Sequence, residues 1–194
     1  MKNGIFALLC CASAFISPGL QANDGVYTVT TQTLIDVPIF YHFVAGINPH
    51  DRYIQLEDES RWKIPESDVY SLHRWSVGQF VVITPNCRWF SDYNYYITNQ
   101  SNGAYVSANL LRGPLHASPY SHHISGMDQN TRGKKAIMLD GKTCWCVSEE
   151  YHYVVDGWQV DDMVIIGTND AWFTHFDTIL INVETNSFAK ARRM

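Results

Sequence analysis

Hydrophobic and polar positions alternate along much of this chain with the two-residue period of half-buried strands. Ile54, Leu56, Trp62 and Ile64 fall on one phase with Arg61 and Lys63 on the other, and Ile137, Leu139, Trp145 and Val147 repeat that phase farther on. The pattern predicts strands at 39–47, 53–56, 61–64, 80–84, 95–98 and 104–108 in the first half. Their counterparts in the second half are 122–127, 137–139, 145–147, 163–166, 178–181 and 188–191. Phe80–Thr84 and Met163–Ile166 are apolar throughout, as a central strand is. Asn102-Gly103 and Asp140-Gly141 are hairpin turns. Pro65–Arg74 and Ser148–Asp156 do not alternate and predict one or two helical turns, with Ser67-Asp68 as the cap in the first copy. Asn23–Leu34, rich in Val, Thr and Tyr, reads as a lead-in strand.

The two halves are copies. Residues 136–193 align with 53–110 without a gap at an offset of 83, and 14 of the 58 positions are identical. About three or four would coincide by chance. All six tryptophans fall into three pairs, Trp62/Trp145, Trp75/Trp158 and Trp89/Trp172. Upstream, Val44–Asn48 matches Ile124–Asp128, the length difference falling in the loop that follows. The expected fold is all-β with short helical turns: two tandem small SH3-like barrels, repeat 1 at 38–110 and repeat 2 at 111–194, after a lead-in strand at 23–37.

The motif apolar-x-Leu-x-Asp-Gly-x-x-Trp followed by Trp-x-x-Gly-Asp-x-Val-x-Ile, carried by Leu139–Trp145 and Trp158–Ile166 and by Leu56–Trp62 and Trp75–Ile83, resembles a repeat of small exported bacterial proteins. The first copy lacks the glycine at Asp58-Glu59, and Asp161-Asp162 replaces Gly-Asp in the second. The resemblance implies export and tandem β units, and carries no activity. A likeness to bacterial SH3 domains that associate with peptidoglycan rests on fold analogy.

Residues 1–22 change the picture of where the chain works. Lys2, the apolar run Ile5–Ile16, the break at Pro18-Gly19 and Leu20-Gln21-Ala22 form a signal peptide pattern with cleavage expected after Ala22. Ala12-Ser13-Ala14 is a weaker site, and Cys10 and Cys11 lack the small residue that precedes a lipidated cysteine. The run is too short to span a bilayer, and no transmembrane segment is expected in the mature chain. Without Lys2 the chain carries 13 Lys and Arg against 19 Asp and Glu, a formal charge of −6. That balance disfavours nucleic acid as a partner.

Chemistry is thin. His116, His122 and His123 lie close in sequence, but adjacent strand residues face opposite ways, so at most one of His122 and His123 can join His116 or His42. No metal site and no cofactor are expected. No nucleophile elbow or phosphate-binding loop occurs, and Glu66/Glu149, the one acidic pair identical in both copies, suits the start of a helical turn. In an oxidising compartment Cys87 could pair with Cys144 or Cys146, and all three reduced is the alternative. Cys144 and Cys146 share a face and are badly placed to join each other.

The remaining candidates are aromatic. Trp89, Phe90 and Tyr93, and in the second copy Trp172, Phe173 and Phe176, follow the central strand in a loop without alternation. They can plug the barrel end or form a binding platform. Burying about 200 Å² of tryptophan contributes roughly 5 kcal/mol gross, which favours the plug. If a platform, the first copy, with Tyr95 and Tyr96 nearby, is the one expected to bind. The functional expectation is an exported non-enzymatic binding or structural module whose partner is an envelope protein or cell-wall glycan. The alternative is a secreted hydrolase or effector with its active site between the repeats.

Overall fold

A computed structural model describes residues 38–129, 133–169 and 175–194. The signal-like segment, the lead-in strand at 23–37, and Trp172 and Phe173 lie outside the described residues. The rest falls within one compact unit, Asp36–Met194.

Among the described residues, twelve strands form two closed antiparallel barrels in tandem. The first contains β1 (His42–Asn48), β2 (Tyr53–Leu56), β3 (Arg61–Lys63), β4 (Phe80–Pro85), β5 (Tyr95–Asn99) and β6 (Tyr105–Arg112). The second contains β7 (His122–Gln129), β8 (Lys135–Leu139), β9 (Thr143–Val147), β10 (Met163–Thr168), β11 (Thr178–Asn182) and β12 (Ser187–Arg193). Around each barrel the order is the same: β1-β2-β3-β6-β5-β4 in one, β7-β8-β9-β12-β11-β10 in the other. A bulge breaks the register between Val44 and Gly46 in β1, and its counterpart lies between Ile124 and Gly126 in β7. Such bulges tighten the twist a small barrel needs to close.

Burial follows the alternation. Ile54, Leu56, Trp62, Ile64 and their counterparts Ile137, Leu139, Trp145, Val147 are buried in the two cores. Each central tryptophan donates its indole N–H to a hydroxyl two residues back, Trp62 to Ser60 at 2.9 Å and Trp145 to Thr143 at 3.1 Å. A buried indole needs such a partner. The identical asparagines serve alike: Asn99 Nδ2 donates to Gln79 Oε1 at 2.7 Å, and Asn182 Nδ2 to Asp162 Oδ2 at 2.6 Å. The same acceptor residues take the backbone N–H of Ser76 and Gln159. At these identical tryptophans and asparagines the two copies satisfy a buried polar atom in the same way.

The helical stretches differ from expectation in detail. Glu66–Arg74 is a 3-10 helix entered from Pro65 without a side-chain cap. Ser67 bonds Asp68, and Asp68 Oδ2 accepts the backbone N–H of Ser107 at 2.7 Å, so this carboxylate ties the helix to β6. In the second copy a short 3-10 turn, Glu149–Tyr151, runs into a short α-helix, α1, His152–Val155.

The barrels pack unequally. The outward residues Ile165 on β10 and Ile179 and Ile181 on β11 join the core cluster of the first barrel, with Val183 and Phe188 against it. The aligned residues of the first copy are Val82, Tyr96, Thr98, Gln100 and Tyr105, a more polar set that does not mirror the contact. Gly167 lets β10 approach β4: a Cβ there would lie 2.5 Å from the carbonyl oxygen of Ile83.

Candidate functional site

The loop between β4 and β5 is built on its own polar atoms. Asn86 N–H donates to Asn94 O at 2.7 Å, and Asn86 Nδ2 donates to Ser91 Oγ at 2.8 Å. Ser91 Oγ in turn donates to Tyr93 O and accepts Tyr93 N–H, while Arg88 N–H donates to Asn86 Oδ1. Asn109 on β6 holds the returning limb, accepting Asn94 N–H and donating to Asp92 O, both at 2.7 Å. This ladder leaves the tip, Arg88–Phe90, outside the barrel. Trp89 is 95 % and Phe90 101 % exposed.

Those two exposures overturn the barrel-plug reading for the first copy. The space is already taken: Tyr95 is buried edge-on against Trp62, ring centroids 5.5 Å apart, and Phe188 of the second barrel closes behind it at 6.2 Å. Tyr95 is the ring whose burial contributes the several kcal/mol gross that a buried aromatic supplies. Burial pushes the Tyr95 hydroxyl well above the usual phenol range.

Trp89 and Phe90 border an open groove of about 460 Å³ with Arg88, Ser91, Tyr96 and Ser107. The Arg88 guanidinium lies 5.6 Å from the centre of the Tyr96 ring, and Tyr96 meets Tyr105 edge to face at 5.3 Å. Tyr105, also exposed, extends the aromatic surface along β5 and β6. Arg88 and Tyr105 escaped the sequence reading. Tyr105 was in principle legible, since it occupies the outward phase of β6 beside Val106 and Ala108, which are buried. Tyr93 does not line the groove; its part is the backbone bond to Ser91.

Phe176, the described member of the second aromatic trio, is elsewhere. It lies on the second barrel with Arg192 5.9 Å from its ring centre, in a recess shared with Lys134, Cys146, Val147, Ser148 and Glu149. Three further pairs identical in both copies are exposed: Tyr70 with Tyr153, Val77 with Val160, and Glu66 with Glu149. Tyr70 borders a separate shallow hollow with Pro49, His50, Arg52, Glu66 and His73.

Of the two adjacent histidines only His123 meets His116, and a carboxylate links the pair. His122 Nδ1 lies 2.6 Å from Asp140 Oδ2 and His123 Nδ1 lies 3.2 Å from Asp140 Oδ1, so adjacent histidines share one carboxylate. Asp140 sits in the hairpin turn beside the end of β7, within reach of both, which strand alternation alone does not foresee. His116 stacks obliquely on His123 at 5.9 Å. Burial works to raise the Asp140 carboxyl, and its bonds to His122 and His123 outweigh that and lower it. Among the described residues no group of three His, Cys, Asp or Glu side chains is arranged to hold a metal ion.

The aligned pair in the first barrel is His42 and Glu57. Glu57 Oε1 lies 2.7 Å from His42 Nδ1, and Oε2 accepts the Phe43 N–H at 2.8 Å, as Asp140 does for His123 N–H. Here both ring nitrogens are engaged and buried, because His42 Nε2 donates to Ile166 O of the second barrel. The pair lies between the repeats, yet it is sealed from solvent and offers no free atom to a substrate. Cys87 is exposed, Cys144 half-buried and Cys146 buried, and all three are free thiols. No helix among the described residues is long and apolar enough to cross a membrane.

Comparison with known protein families, curated proteins and solved structures finds no match. The fold class is that of paired small β-barrels, and the candidate site is the aromatic loop and groove of the first.

Proposed function

We propose that this protein is an exported, non-enzymatic binding module of the cell envelope or extracellular space, with the Arg88–Phe90 loop and the Tyr96–Tyr105 face as its ligand-contacting surface. The observation that carries the reading is the full exposure of Trp89 and Phe90 at the tip of a loop held in shape by side-chain hydrogen bonds. Two large rings kept in water by a fixed loop are prepaid contact area for a partner. An open groove edged by Arg88, Ser91 and Ser107 suits an extended chain carrying hydroxyls, so the preferred ligand is a cell-wall glycan over an envelope protein. Export rests on the signal pattern of residues 1–22.

Cosedimentation with isolated cell-wall sacculi, beside a pull-down of envelope proteins, tests the proposal. Wild type is expected to sediment with sacculi, and Trp89→Ala and Phe90→Ala to stay in solution while melting like wild type. Retention on proteins alone would replace the glycan by a protein partner. Unchanged binding by both variants would remove the site.

A further inference from the structure

On the second barrel, four sulfur-bearing residues border a single groove. Met127, Met138, Cys144 and Met194 border it with Gly126, Asp128 and Ala136, enclosing about 290 Å³. Met138 on β8 and Cys144 on β9 are directly opposed partners in the ladder. Such partners have Cβ atoms about 4.5 to 5.5 Å apart. Met194 is fastened beside them by its backbone N–H, which donates to Cys144 O at 2.9 Å. Met138 and Met194 are 43 and 68 % exposed, so neither is a core residue, whereas Met127 opposes the buried Ile137 and borders the groove from the inward phase of β7.

The first barrel supplies an internal contrast. The positions aligned with Met138 and Cys144 are Gln55 and Arg61, again directly opposed, and Arg61 Nε donates to Gln55 Oε1 at 3.3 Å. The place of Ala136 is taken by Tyr53, whose ring lies under the Arg61 guanidinium at 5.1 Å. The same corner of the same fold thus holds a closed polar lid in one copy and an open thiol and thioether pocket in the other.

We propose that this groove is a binding site for a soft monovalent cation of the Cu(I) class, with Cys144 as thiolate ligand and Met138 and Met194 as thioether ligands. Thiolate and thioether sulfur select Cu(I) over harder ions, and neutral thioethers do little to offset a divalent charge. Metal to sulfur bonds of about 2.3 Å place two ligands of one ion within about 4 Å of each other, a gap that flexible methionine side chains on opposed strands can close. Binding exchanges the Cys144 thiol proton for the metal ion, with no change of oxidation state.

The test uses Ag(I), a soft ion of the same class that needs no reductant. It is titrated into the full chain labelled at the methionine ε-methyl groups, with Cys10, Cys11 and Cys87 replaced by serine. The ε-methyl resonances of Met138 and Met194 are expected to shift together and saturate at one equivalent, while that of Met163 stays in place. Cys144→Ser should abolish the shifts. Met138→Leu and Met194→Leu, which keep side-chain volume, should each weaken Ag(I) by more than about tenfold, the loss that even an outer-shell partner brings. If both leucine variants bind Ag(I) as tightly as the parent, or if the methionine resonances do not move, Cys144 is an ordinary thiol and the proposal fails. Should Cys144→Ser not fold, the leucine variants decide the matter alone.

Discussion

His42 of the first barrel donates its Nε2–H to the carbonyl oxygen of Ile166 in the second, 2.8 Å away, while Glu57 takes the other ring nitrogen. With both nitrogens donating, the ring is an imidazolium. Burial by itself lowers its pKa. The hydrogen bond and charge of Glu57, the charge of Asp58 and the Ile166 carbonyl outweigh that and raise it from 6.5 to about 9. A pKa raised on folding contributes stability that is complete below the unfolded value and is lost as pH rises through the folded one. Urea unfolding at a series of pH values is therefore expected to show stability falling from pH 6.5 through 9. The full loss is about 3 kcal/mol. His42→Gln should flatten that slope; an equally steep one would assign it to other groups.

The duplication also exposes a defect that one substitution should mend. Trp158 Nε1 donates to Ser187 Oγ at 2.9 Å, whereas Trp75 Nε1 is buried without a partner. The residue aligned with Ser187 is Ala104. Ala104→Ser is expected to raise the unfolding free energy by about 1 kcal/mol, read from the denaturation midpoint at unchanged slope.

Gly167 has the opposite sensitivity. Its missing side chain is where Ile83 O sits, so Gly167→Ala must push β10 from β4. A loss of about 1 to 3 kcal/mol is expected. Because the contact joins the barrels, cooperativity should suffer with it, and separate unfolding transitions by fluorescence and circular dichroism would reveal the uncoupling.

The tryptophans should divide sharply. Trp62→Ala opens a cavity in a core and is expected to cost about 3 to 5 kcal/mol. Trp89→Ala touches nothing inside the barrel and should stay within about 0.5 kcal/mol of wild type. A large loss for Trp89 in thermal melts would contradict its exposure.

Processing and thiols can be read on one sample of exported protein. N-terminal sequencing is expected to begin at Asn23, and thiol counting on the denatured, unreduced chain to find Cys87, Cys144 and Cys146 all free. In the native state Cys87 should react first and Cys146 last, in the order of their exposure. A count of one thiol would show Cys87 joined to Cys144 or Cys146 in the oxidised protein.

The alternation around Trp62 and Trp145, and the repeat at an offset of 83, were enough to determine paired all-β barrels, because inward and outward phase is a local property of a strand. Which ring fills a barrel end is not local. Trp89, Phe90 and Tyr95 are all large, apolar and close in sequence. Only the closure of the first barrel, with Phe188 arriving from the second, decided that Tyr95 goes in and the other two stay out. The docking of β10 on β4, the sharing of Asp140 by His122 and His123, and the gathering of Met138, Cys144 and Met194 were likewise decided by tertiary structure. Each depends on a register between segments that a pattern along one strand does not contain.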